Sequence, residues 1–264
     1  MTKIQDTLKQ YNIHPKKYMG QNFLIDENVL NKIIGAANLS PEDTVLEIGP
    51  GLGILTIELA KRAKKVITIE KDKNLCEVLQ KTLDEENIKN VKIINGDILK
   101  IKPVGFPNYK IVANIPYYLT SPIIRKFLEA GNKPAMMILM VQKEVAQRIT
   151  AKPPHMNILS IAVQFYAEPE IIDYVPKSSF SPMPKVDSAI MKIIPKQIPE
   201  INTEKFFTLV KKGFSAKRKM LKNNLSILLK ANQINLEKIG LNPKVRAENL
   251  SIDDWIKIYH DFYS

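Results

Sequence analysis

The chain reads as an α/β protein: a largely parallel, doubly wound sheet followed by a small C-terminal helical domain. Three observations lead there. Short β-branched apolar runs alternate with helix-spaced segments from about residue 44 to residue 194. A glycine-rich turn at Gly49, Gly51 and Gly53 follows the first of those runs, at the strand end where open sheets hold their ligands. Beyond residue 200 the period becomes helical and the charge turns basic.

The predicted strands are Thr44–Ile48, Val66–Glu70, Val91–Asn95, Lys110–Ala113, Met136–Val141, Ile158–Phe165 and Ala189–Ile194. Ile54–Ala63, Lys73–Glu86 and Ile123–Ala130 carry apolar residues at helical spacing between them. Pro176, Pro182, Pro184, Pro195 and Pro199 punctuate the region beyond the sixth run. In the C-terminal part, Phe207, Val210, Phe214, Leu221, Leu225 and Leu228 fall on one stripe of a helix. Lys212 and Lys219 lie opposite that stripe, and Lys211, Arg218 and Lys222 flank it. Neither an internal repeat nor a low-complexity tract interrupts the chain.

The 264 residues suffice for one large domain and an appendage. The net charge is +12, which favours a polyanionic partner, either nucleic acid or an acidic membrane surface, with a basic proteome or a solubility charge as the plainer alternative. Residues 201–264 hold 12 Lys and Arg against 6 Asp and Glu. About half of the surplus therefore sits on a quarter of the chain, as a binding face would have it; a solvated helix face is the plainer alternative. Cys76 is the only cysteine, which rules out an internal disulfide and a cysteine-rich zinc site. His14, His155 and His260 are far apart and form no metal-ligand spacing, so no metal is expected. The N-terminus M-T-K-I-Q-D-T-L-K-Q has no apolar run of a secretory signal. No apolar stretch nears the roughly 18 residues of a membrane span. A cytoplasmic, soluble protein with no membrane partner is the expectation, and nothing demands more than a monomer.

The chemistry concentrates at three strand ends. T-V-L-E-I-G-P-G-L-G-I-L-T (44–56) is a buried strand, a glycine turn and a helix start, which lets backbone approach a ligand closely. Dinucleotide enzymes use a similar device, but the spacing here is G-x-G-x-G rather than G-x-G-x-x-G. The next strand ends in Glu70, placed to accept from both hydroxyls of a ribose, and the third ends in N-G-D, where Asp97 can accept from an adenine amino group. Together these suit S-adenosyl-L-methionine, with glycines against its amino-acid tail. The fourth strand runs into N-I-P-Y (114–117). An adenine exocyclic amine is a poor nucleophile because its lone pair is delocalised. The Asn114 side-chain oxygen and the carbonyl ahead of Pro116 can accept its two N–H groups, and the Tyr117 ring can hold the base by stacking. Rate would then come from alignment and fixed dipoles. The target base must leave its stack, so unpaired or flippable adenines are expected. Phe180, in S-S-F-S-P-M-P-K-V-D-S, offers a second aromatic to close from the other side; core packing is the alternative for an isolated Phe.

Y-M-G-Q-N-F-L (18–24), E-I-G-P-G-L-G (47–53), N-G-D (95–97), N-I-P-Y (114–117), Q-K-E-V-A-Q-R (142–148) and F-S-P-M-P-K-V-D-S (180–188) together resemble the ribosomal RNA adenine N6,N6-dimethyltransferases of the bacterial KsgA type. F-S-A-K-R-K-M-L-K-N-N-L (214–225) and V-R-A-E-N-L-S (245–251) extend the likeness almost to the C-terminus. The resemblance implies the Rossmann-like fold of class I S-adenosylmethionine-dependent methyltransferases, a mixed seven-stranded sheet with a small helical domain. It implies a catalytic domain over 1–198, with an N-terminal arm over 1–25, and a helical, basic RNA-binding domain over 199–264. Cofactor contacts are implied at Gln21, Asn22, Leu24, Gly49, Gly51, Glu70, Asp97, Ile98 and Asn114. RNA contacts are expected at Lys211, Lys212, Arg218, Lys219 and Lys222. The implied substrate is two adjacent adenosines in a hairpin near the 3′ end of 16S ribosomal RNA, with small-subunit RNA and pre-30S particles as partners in ribosome biogenesis.

Two departures stand out. H-M-N-I-L-S (155–160) lacks the glycine that the family often has there, and Ile98 and Leu99 follow Asp97 where a small residue is common. Three other readings share the motifs: a large-subunit (23S) adenine methyltransferase of the antibiotic-resistance type, a non-catalytic nucleic-acid-binding factor on the same fold, and a DNA adenine methyltransferase. The glycine in M-G-Q-N-F-L and the R-A-E-N segment favour the small-subunit enzyme. The intact N-I-P-Y argues against lost activity, and its Asn leans away from the D-P-P-Y common in DNA enzymes.

Overall fold

In chain order the strands are β1 (Phe23–Leu24), β2 (Thr44–Ile48), β3 (Lys65–Glu70), β4 (Val91–Asn95), β5 (Tyr109–Asn114), β6 (Met136–Gln142), β7 (Ala167–Val175), β8 (Phe180–Ser181) and β9 (Ser188–Pro195). The helices are α1 (Glu27–Ala37), α2 (Ile54–Ala60), α3 (Lys73–Glu85), α4 (Thr120–Leu128), α5 (Lys143–Ile149), α6 (Ile158–Gln164), α7 (Thr203–Gly213), α8 (Leu221–Asn224) and α9 (Ile252–Tyr263). They come from a computed structural model that describes residues 11, 13, 15, 16, 20–101, 108–226 and 236–263. Leu228, Tyr18, Met19, His14 and residues 1–10 of the expected arm lie outside the described residues.

Seven strands form one sheet in the order β4-β3-β2-β5-β6-β9-β7. β2 runs parallel to β3 and β5, β3 to β4, and β5 to β6, while β9 is antiparallel to β6. The expected mixed, Rossmann-like sheet is therefore present. Central β6 is buried at every residue but its last, as a strand covered on both faces must be. Val45, Val66, Val112, Ile138, Met140 and Ile190 present one face of the sheet to α1 and α2, whose Ile33, Ile34 and Leu59 pack against it. A separate two-stranded ladder pairs β1 with β8, Phe23 opposite Ser181 and Leu24 opposite Phe180.

One sequence expectation fails here. Ile158–Phe165 is helix α6, not a strand. A short apolar run does not distinguish strand from helix by period. What decides is Asn157, whose side chain accepts from the Leu159 and Ser160 N–H groups while the Ser160 hydroxyl accepts from the Asn157 N–H, a complete capping box. The seventh strand is instead β7, whose alternating exposed and half-buried residues mark a sheet margin.

The chain divides into two compact units, Met1–Ala146 with Pro169–Pro195, and Gln147–Glu168 with Lys196–Ser264. The expected division at 198/199 thus misses one excursion, because α6 belongs to the second unit. There Phe165 stacks on Phe206 at 4.7 Å between ring centroids and meets Phe207 edge-on at 5.3 Å. The single stripe expected through Leu225 is also broken. α7 stops at Gly213, where any Cβ would come within 2.2 Å of the Trp255 ring. Asn224 then pins the following turn by donating to the Gly213 and Ala216 carbonyls. Phe206, Leu209 and Val210 bury on α7, and Leu221 and Leu225 bury after the turn.

Candidate active site

A cavity of about 230 Å³ opens in the first unit at the carboxyl ends of β2, β3 and β5, the edge where parallel sheets bind ligands. Its walls are the Gly20–Leu24 segment, the glycine turn, Glu70 and Lys71, the turn Gly96–Leu99, and Asn114 through Leu119.

Gly53 caps α2 in the left-handed region at φ 85°, and a Cβ there would fall 2.4 Å from Leu79 Cδ1. Gly49, at φ 67°, turns the chain past Pro116, where a Cβ would stand 3.8 Å from Pro116 Cδ. Bare backbone therefore keeps the gap between the glycine turn and N-I-P-Y open. Gly51 N–H donates to Glu70 Oε2 at 3.3 Å, and Asp72 N–H donates to Glu70 Oε1 at 2.8 Å. Burial pushes the Glu70 carboxyl above its ordinary value, so a donor pair such as a diol would relieve a desolvated acceptor. Glycine cradle and oriented acid both fit the adenosyl group that the sequence calls for.

At Asp97, Oδ1 accepts the Leu99 N–H at 3.0 Å and Oδ2 takes the Lys71 ammonium at 3.1 Å. The Leu99 N–H and then Lys71 hold this carboxyl below the usual carboxylate range. Ile98 is buried and Leu99 is exposed, both on the cavity wall.

The N-terminal segment is tied to this frame. Gln21 Nε2 donates to Asp72 Oδ2 at 3.3 Å, and Asp72 caps α3 and pairs with Lys16 at 2.7 Å. Asn114 Nδ2 donates to the Asn22 carbonyl at 3.3 Å. Among the described residues its Oδ1 has no hydrogen-bond donor, and Asn114 lines the cavity. Leu24 is buried and lines the cavity.

Tyr117 lines the cavity with its hydroxyl bound to Ser188 Oγ at 2.7 Å, and burial raises its pKa. Phe180 does not supply the expected second aromatic. It is 3% exposed, packs in the core with Leu24 and Leu30, and is absent from the cavity wall. Its pairing through β8 with β1 turns the ring inward. The proline-rich motif serves the site through Ser188 instead. Tyr118, 57% exposed on the cavity rim, is the aromatic that the sequence reading passed over.

Also missed was Glu47, in the first position of E-I-G-P-G-L-G. It is 1% exposed on the cavity wall, and the Thr56 hydroxyl donates to its Oε2 at 2.6 Å. Burial pushes its carboxyl up to about 8. Its position between apolar Leu46 and Ile48 in a buried strand was the available signal.

The five cations expected to meet RNA lie in the second unit, and among the described residues none forms an ion pair. Lys211, Arg218, Lys219 and Lys222 are exposed and Lys212 half-buried. Among the described residues no group of three or more His, Cys, Asp or Glu is arranged to hold a metal, and no helix is long and apolar enough to cross a membrane.

The family model described as ribosomal RNA adenine dimethylase matches residues 12–263. The chain belongs to this family. Members similar to it include the ribosomal RNA small subunit methyltransferase A of Dehalococcoides mccartyi, 42% identical over 98% of this chain and 92% of that protein. The protein of the same name from Bacillus cytotoxicus is 42% identical over 95% of this chain and 92% of its own. Among solved structures, a dimethyladenosine transferase from Plasmodium falciparum has a TM-score of 0.79 at 32% identity, covering 91% of this chain and 97% of its own. The 23S rRNA methyltransferase ErmE has a TM-score of 0.75 at 28% identity, covering 92% and 100%.

Proposed function

We propose that the chain is a 16S rRNA (adenine-N6,N6)-dimethyltransferase, which uses S-adenosyl-L-methionine to dimethylate two adjacent adenosines near the 3′ end of small-subunit RNA. The observation that carries this reading is Asn114: it lines the cavity beside the glycine turn, and its amide nitrogen donates to the Asn22 carbonyl, which leaves the side-chain oxygen as its remaining polar group for a target amine. The small-subunit assignment is supported by the 42% identical relatives of that name.

Gly49 and Gly51 would hold the cofactor's amino-acid tail, Glu70 its ribose, and Asp97 with Ile98 its adenine. Gln21, Asn22 and Leu24, all on the cavity wall, would contact the cofactor too, Gln21 held by Asp72, Asn22 by Asn114 and Leu24 by the β1 ladder. When bound, S-adenosyl-L-methionine supplies an electrophilic methyl group. The chain's own work is alignment. Asn114 Oδ1 and the carbonyl of Ile115, set by Pro116, accept the two N–H groups of the target amine and favour a pyramidal nitrogen. Tyr117, fixed through Ser188, holds the base by its ring. No base is required before attack, because the amine becomes acidic as it gains positive charge; its proton then leaves to solvent. After one methylation a single N–H remains, which Asn114 still accepts.

Lys211, Lys212, Arg218, Lys219 and Lys222 would bind RNA phosphates, giving salt-sensitive association. The physiological partner would be the pre-30S particle in the cytoplasm, and the working form a monomer. Primer extension on RNA from small and large subunits lacking the modification, after incubation with protein and methyl donor, tests the assignment. Stops at two adjacent adenosines near the 3′ end of 16S RNA are expected; a stop confined to 23S RNA would overturn it in favour of the ErmE-like reading.

A further inference from the structure

The carboxylate oxygen of Asp97 that the backbone leaves open is held by a lysine. Oδ1 is committed to the Leu99 N–H. The turn that carries it is fixed, since Lys100 and Ile101 donate to the Asp97 carbonyl at 2.9 and 3.2 Å and Lys126 Nζ donates to the Leu99 carbonyl at 2.9 Å. The oxygen without a backbone donor is Oδ2, and on it the Lys71 ammonium already sits at 3.1 Å. Asp97 and Lys71 both line the cavity. The Lys71 side chain is 58% exposed against 22% for Asp97, so the lysine is the partner free to leave. A carboxylate oxygen has two acceptor sites. Two donors on it, one of them a full cation, nevertheless stand close enough to repel.

We propose that Lys71 is a specificity-determining residue of the adenosyl pocket, a cation that the ligand's adenine amino group must displace from Asp97 Oδ2. The inference rests on the cofactor reading above. It has a consequence of unusual sign. Salt weakens an exposed ion pair, so added salt tightens cofactor binding here, while it loosens RNA binding at phosphates. The two ligands of one enzyme then respond to ionic strength in opposite directions.

Calorimetric titration of the full chain with S-adenosylhomocysteine, whose sulfur is uncharged, tests this at low and high potassium chloride. Lys71→Met keeps the aliphatic stem and removes only the ammonium. It is expected to bind about 2- to 5-fold tighter than wild type at low salt, the range an exposed pair commands. Salt closes that gap by tightening the wild type alone, and Lys71→Arg, which keeps the pair, behaves as wild type. Equal or weaker binding by Lys71→Met, or the same salt response in both proteins, overturns the inference and leaves the cofactor reading standing. Binding by neither protein overturns the cofactor reading, and the inference with it.

Discussion

Gly53→Ala is the sharpest probe of how packing shapes the cofactor turn. Gly53 sits at φ 85°, and its added Cβ would fall 2.4 Å from Leu79 Cδ1. Leu79 is fully buried on α3, so its side chain would have to shift within the core. Two costs therefore add. A left-handed L-residue costs roughly 1–2 kcal/mol, and overpacking a dense core costs about 1–3 kcal/mol. The variant should lose about 2–5 kcal/mol in urea denaturation. Leu79→Ala removes the colliding atom at a cost of its own, about 2–5 kcal/mol. In that background the same glycine substitution should cost only the backbone part, about 1–2 kcal/mol. The coupling between the two sites is then about 1–3 kcal/mol, relieving when both are present. Cofactor affinity, measured alongside, should fall in Gly53→Ala and recover partly in the double variant. An identical cost of Gly53→Ala in both backgrounds would refute the collision as the reason for glycine at this position.

The remaining predictions concern chemistry, charge and RNA. Asn114→Ala should abolish methyl transfer while RNA retention on filters stays close to wild type; turnover at the wild-type rate would remove Asn114 from its role. Ser188→Ala frees the Tyr117 hydroxyl and should cost about 0.5–1.5 kcal/mol of stability, with a fall in kcat measured on small subunits. Glu47 has a folded pKa of about 8, raised by burial, so the native state keeps a proton that the unfolded chain gives up near the ordinary carboxylate value. Wild-type stability should thus fall with rising pH, from the ordinary Glu range up to about 8, by about 1.4 kcal/mol per unit relative to Glu47→Gln. Parallel urea-derived profiles for the two proteins would contradict this. Arg218→Ala with Lys222→Ala should weaken RNA binding and flatten its salt dependence, the slope falling by roughly 1 for each phosphate no longer neutralised. Equal loss of cofactor binding in that double variant would count against a dedicated RNA face.

Much of the first unit was legible in the sequence because its parallel strands are buried runs bounded by charged or glycine-rich turns. Thr44–Ile48 and Val91–Asn95 fall where expected, and Lys73–Glu86 is one residue longer than α3. What escaped were elements set by a cap or by a tertiary contact rather than by the apolar period. α6 looks like a strand until Asn157 is recognised as its cap. Gly213, where α7 ends, lies under the ring of Trp255, 42 positions away in the chain. At the site, the residue types that chemistry demands could be read at strand ends, including Glu70, Asp97 and Asn114. Their partners could not. Nothing in the spacing reveals that Lys71 folds back onto Asp97, that Ser188 tethers Tyr117, or that β8 turns Phe180 into the core while Tyr118 stays on the rim.

The most direct test of the whole account is a crystal structure of the protein soaked with S-adenosylhomocysteine. Density is predicted in the cavity, with the ribose on Glu70 and the sulfur facing Asn114 across the glycine turn. Ligand bound elsewhere, or a turn closed by its own side chains with the ligand excluded, would contradict it.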